Sequence, residues 1–102
     1  MAHDPAMTLR AFQARIDETY GERDAARGLD GTFVWFVEEV GELARDLMRP
    51  RDADGKNLRE EFADVLAWLS TLASIAGVDL ESAAREKYEK GCPKCHAAPC
   101  QC

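Results

Sequence analysis

Two pairs of carboxylates stand at helical spacing in the middle of this 102-residue chain. Within Glu38-Glu39-Val40-Gly41-Glu42, Glu39 and Glu42 are three residues apart, and Glu61 and Asp64 repeat the interval further on. Residues three apart project from nearly the same face of a helix, so each pair presents two acids together. Should two such helices lie antiparallel, four carboxylates converge. In a poorly solvated groove their mutual repulsion raises pKa values or drives them apart, and a bound divalent cation reverses that penalty. The donor set is all oxygen, and neither His3 nor His96 falls in these segments, which favours magnesium or manganese over zinc. The missing histidines also argue against a di-iron bundle, which needs a Glu-x-x-His pair on two helices. Magnesium retains water and accepts substrate phosphates, so the implied ligand is a polyphosphate. The competing reading takes EExxE as a solvated helix face. It is weaker for the second pair, because Asp64 sits between Ala63 and Val65 in the most apolar segment of the chain.

Helices must carry these residues. Leu9, Phe12, Ile16 and Tyr20 recur at three- and four-residue spacing and predict a first helix that Gly21, or the polar stretch after it, can stop. Residues 22–31, with two glycines and several charges, read as a connection into a second helix starting at Asp30 or Thr32 and running to about residue 49. Pro50 ends that helix and RDADGK is turn chemistry. Asn57 with Glu60 resembles a capping box opening a third helix, whose stripe of Leu58, Phe62, Val65, Leu69, Leu72 and Ala76 is joined by apolar residues on its other faces. Gly77 suits its C-terminal cap, Asp79 can cap a fourth helix over residues 80–90, and Gly91 closes it. No alternating strand pattern appears, so the fold class is all-α, a bundle of about four helices over residues 8–91 with a short cysteine-rich tail at 92–102.

Bulk properties narrow the function further. A net charge of -6 and no basic run exclude a phosphate-backbone partner, so no nucleic acid is expected. No uncharged run approaches the ~18 residues of a membrane span, and MAHDPAMTLR lacks the features of a secretory signal, so a cytoplasmic protein without membrane contact is expected. A lone chain of this size buries only roughly two-thirds of its unfolded surface, which predicts help from a partner subunit.

All four cysteines, Cys92, Cys95, Cys100 and Cys102, lie in the last eleven residues. Cys92-Pro-Lys-Cys95 is a C-x-x-C of the zinc-knuckle kind that Cys100 and Cys102 can complete, with His96 as a substitute ligand. The alternative is a mobile, metal-free, redox-sensitive tail. Trp35 is of a type that stacks on a base, although its spacing with Phe36 also suits packing.

From about Leu9 to Lys90 the chain resembles the MazG family of all-α nucleotide pyrophosphohydrolases, whose mark is EExxE followed by ExxD on the next helix. Here the motifs read EEVGE and EFAD, with ERDAARG before them. The resemblance implies that Glu39, Glu42, Glu61 and Asp64 hold magnesium, and that nucleoside triphosphates are cleaved to a monophosphate and pyrophosphate in clearing the nucleotide pool. It implies Glu38 or Glu42 as acceptor of the water's proton, and Arg27, Lys87 and Lys90 as phosphate contacts, unless these three serve only solubility. Where many relatives continue with asparagine and arginine, this chain has Gly91 and Cys92. It also implies a homodimer or homotetramer with pockets completed by a neighbouring chain. A reading from another class is a non-catalytic oligomerisation module whose zinc tail recruits a protein partner.

Overall fold

The computed structural model describes residues 7–49 and 55–102. Three helices make up the chain's regular structure among these residues: α1 (Leu9–Leu47), α2 (Lys56–Ile75) and α3 (Leu80–Tyr88). Three continuous elements thus stand where about four helices were expected. The first two predicted helices form one element with a single non-helical residue, Gly28, at φ 81 and ψ 177. A straight 39-residue helix would run about 58 Å at ~1.5 Å per residue, longer than the largest extent of the molecule, 42 Å. The break at Gly28 folds α1 into two limbs, and α2 packs against both.

Residues 22–31 are therefore helical except at Gly28, and the reason lies in their charges. Asp24 and Arg27 are one turn apart and pair at 3.0 Å, so side chains that looked like loop solvation instead hold a helix turn. Only glycine tolerates the backbone angles at position 28. No neighbouring atom lies within 4 Å of a Cβ placed there, so the penalty of Gly28→Ala is purely conformational. We expect a loss of ~1–3 kcal/mol, read as a lower urea midpoint with unchanged slope. An unaltered midpoint would mean that the limbs straighten freely.

Helix ends follow side-chain chemistry with one exception. The Thr8 hydroxyl accepts from Ala11 N and starts α1. Asp79 accepts from Ser82 N and starts α3 as expected. Gly77 (φ 74) closes α2 with the paired bonds Val78 N to Ala73 O and Gly77 N to Ser74 O. The exception is Asn57, expected as a cap. It lies inside α2, which begins at Lys56 after a left-handed Gly55 (φ 66) with no side-chain cap. The turn placed at Pro50 and the first six residues fall outside the described residues.

The interior is unusual in being polar. Thr32 and Ser70 are the fully buried side chains, joined by Gln13, Asp24 and Thr71, whereas the one buried apolar residue among those described is Ala73. Their hydroxyls are satisfied within the helices: Thr32 Oγ1 donates to Gly28 O at 2.7 Å and Ser70 Oγ to Leu66 O at 2.9 Å. Gln13 ties α1 to the α2–α3 junction, donating to Ser74 Oγ and Val78 O and accepting from Leu80 N. Arg10 adds ion pairs to Asp79 and Glu81, and its hydrogen bond to Asp79, with those from the Ser82 hydroxyl and amide, holds the Asp79 carboxyl down at about 2. Meanwhile Phe33, Val34, Val37, Val40, Phe62 and Leu69 are exposed. The radius of gyration, 16.1 Å, exceeds the ~13 Å of a compact domain of about 100 residues.

Candidate functional site

The second limb of α1 and the first half of α2 bring the acidic motifs together. Ligand oxygens of Glu39, Glu61 and Asp64 all lie within 4.8 Å of one another. Helix α2 contributes Glu61 and Asp64 through its three-residue interval and α1 contributes Glu39, the pairing of the two helices setting the motifs face to face. One oxygen of Glu39 and one of Glu61, Oε2 in each case, are buried without any hydrogen-bond partner. Buried acceptors in folded proteins are almost always satisfied, so two such atoms pointing into one acidic cluster suit a cation that is all charge and accepts oxygen donors.

Electrostatics agree with the geometry. The Glu39 carboxyl is pushed above the usual range, first by burial and then by the charges of Glu42, Asp64 and Glu61, with a hydrogen bond to Glu42. Glu61 is raised in the same way, by burial and then by Glu42, Asp46, Asp64 and Glu60. Glu42 acts on both, although it stands outside the trio of mutually close ligand atoms. Glu38 is exposed and also outside that trio.

A cleft of about 270 Å³ opens beside Asp64, lined by Ile16, Tyr20, Arg23, Asp24, Arg27, Ala67, Trp68 and Thr71. Here the sequence reading missed residues. Trp68 lies one helical turn beyond Asp64, an interval that was available as a signal. Its ring stacks on Trp35 with centroids 6.2 Å apart and an interplanar angle of 14°, and the Arg27 guanidinium sits 4.9 Å from its centroid. Arg27 is fixed in turn by Asp24 at 3.0 Å and Thr32 at 3.3 Å, and Asp24 accepts from Thr71 at 3.1 Å. Asp46 was missed too, although it follows Glu42 by four residues on the same face.

Lys87 and Lys90 do not line this cleft. They line another, formed by the end of α3 with Cys92, Pro93 and His96, and Lys87 Nζ rests 5.5 Å from the Tyr88 ring centroid. The four cysteines form a second cluster, with sulfur atoms all within 4.8 Å of one another. His96, at φ 59, is not part of it. Amides of Cys95 and Lys94 hold the Cys92 thiol down at about 6.

Among the described residues no single helix is long and apolar enough to cross a membrane, and α2 with α3 passes that test only as a pair bent by 96°. In comparisons with known proteins, the model of the MazG nucleotide pyrophosphohydrolase domain matches residues 28–96. No curated protein matches the chain closely enough to count as a relative.

Proposed function

The chain belongs to the MazG nucleotide pyrophosphohydrolase domain family, and on that premise we propose that it is a magnesium-dependent enzyme cleaving nucleoside triphosphates to a monophosphate and pyrophosphate. The observation that carries this reading is the trio Glu39, Glu61 and Asp64 with its two unpartnered buried oxygens. These three residues, with Glu42 beside them, would hold magnesium or manganese. Bound there, the metal would neutralise phosphate oxygens and lower the pKa of an attacking water.

The chain's own groups supply the remaining work. Of the two candidates for accepting the water's proton, Glu42 is the better placed, since its charge acts on both Glu39 and Glu61. Arg27 presents positive charge on the wall of the cleft next to Asp64, and the paired rings of Trp68 and Trp35 offer an aromatic surface for a base. Because Lys87 and Lys90 line a different cleft within one chain, they reach phosphate in this proposal only across a subunit boundary, in a homodimer or homotetramer. The exposed apolar faces of α1 and α2 supply the surface for that assembly. We assign the helical domain to residues 8–91 and place the enzyme in the cytoplasm, clearing unwanted nucleotides from the pool.

The test is product analysis by phosphorus NMR for a panel of normal and modified triphosphates, with magnesium and with chelator. Monophosphate and pyrophosphate, formed only with metal, are expected. A diphosphate and orthophosphate would place the cleavage at the wrong anhydride and overturn the proposal.

A further inference from the structure

The tail after α3 has no helix or strand, and the side chains it partly shields are those of Cys92, Cys95 and Ala97. Something other than apolar burial must order it. Its backbone closes on itself: His96 N donates to Cys92 O at 2.7 Å and Cys92 N to Ala97 O at 3.0 Å. Gly91, at φ 98, comes so close that a Cβ would stand 2.6 Å from Ala97 O. This closure delivers four thiols to one point.

The spacing between those thiols is informative. Cys92 Sγ and Cys102 Sγ are 3.7 Å apart, and Cys95 Sγ and Cys100 Sγ 4.0 Å. A tetrahedral ion with sulfur at ~2.3 Å places its ligands about 3.8 Å from one another. A disulfide requires ~2.05 Å. An iron–sulfur cluster would spread the thiols wider than a single ion does, because its irons and bridging sulfides lie between them. Backbone amides also point inward, Gln101 N to Cys95 Sγ at 3.2 Å and Cys102 N to Cys100 Sγ at 3.4 Å, in the way that outer-shell donors support thiolate ligands.

We propose that Cys92, Cys95, Cys100 and Cys102 hold one structural zinc ion, which orders the tail and fixes the C-terminal end of α3. The family match ends at residue 96, between the two cysteine pairs, so the complete ligand set extends beyond the matched region. Four ligands leave no open position, so the ion is not catalytic. Its binding free energy instead orders the loop. Lys87 and Lys90 share a cleft with Cys92, Pro93 and His96, so the zinc loop would form one wall of the cleft that those lysines line.

The full chain, expressed with zinc supplementation and purified without chelator, is expected to carry one zinc per chain. Cobalt exchanged into the site should give the intense visible and thiolate charge-transfer bands of a tetrahedral sulfur site. Cys95→Ser and Cys100→Ser should each weaken zinc binding by more than about 100-fold, since loss of even an outer-shell partner costs 10- to 100-fold. Removing zinc should open Lys90 and Lys94 to trypsin while α1 and α2 keep their helicity. Glu61→Gln should retain zinc in full, which separates this site from the carboxylates. Four titratable thiols without metal, a pair of disulfides, or iron in place of zinc would each overturn the proposal.

Discussion

Glu61→Gln is expected to lower pyrophosphate release by at least about 10²- to 10³-fold, the scale on which loss of one preorganised electrostatic partner is felt. The substitution keeps the shape of the side chain and removes its charge. Stability should move the other way. Burial and four neighbouring acids hold the Glu61 pKa above its ordinary 4.5, so its contribution to stability is full below that value and is lost as pH rises through the raised one. In chelator at pH 7 the glutamine variant should therefore melt at or above the parent chain, with a flatter pH dependence above 4.5. Magnesium should stabilise the parent and leave the variant nearly unmoved. Thermal melts with and without metal, run beside the activity assay, check both halves. Wild-type turnover would remove Glu61 from the site, and a much lower melt in chelator would make it a structural residue.

The second large effect is expected at Asp24→Ala. Asp24 is buried and accepts both from Arg27 at 3.0 Å and from Thr71 at 3.1 Å, so its removal strands a guanidinium and a hydroxyl together. Breaking a buried ion pair from one side costs about 3–5 kcal/mol. Arg27 is a quarter exposed, which lets water repay part of this. A loss of about 2–4 kcal/mol is expected, a drop in Tm of roughly 10–25 °C for a domain near 100 residues. Freed from Asp24, Arg27 should also leave the Trp68 face, visible as a change in tryptophan fluorescence. A variant that melts within a few degrees of the parent would show that the network is not what joins α1 to α2.

Much of this arrangement was legible in the sequence where a local rule has a single reading. The intervals of EEVGE and EFAD placed Glu39, Glu61 and Asp64 on facing stripes, and Asp79 and Gly77 marked real helix ends. The reading failed where one residue type serves two roles. The charges of residues 22–31 look like a solvated loop, but Asp24 and Arg27 satisfy each other within a helix, and the turn is confined to Gly28. Asn57 has good capping chemistry, yet the chain enters α2 through a left-handed Gly55. The polar interior was beyond reach, because Thr32 and Ser70 look like surface residues until their hydroxyls are seen to bond the preceding helical turn. Asp46 and Trp68 were within reach, each a single turn from a residue already singled out.

The exposure of Phe33, Val37, Val40 and Phe62 around a hydroxyl-lined interior has a further consequence. With so little apolar area fully hidden inside one chain, the proposed assembly would add hydrophobic stabilisation that a lone subunit lacks, and dilution would then weaken the fold. Newly made copies would be degradable until enough of them meet. The cell would possess this activity in a threshold manner, set by the rate of synthesis against the rate of proteolysis, with no dedicated inhibitor needed to keep stray subunits silent.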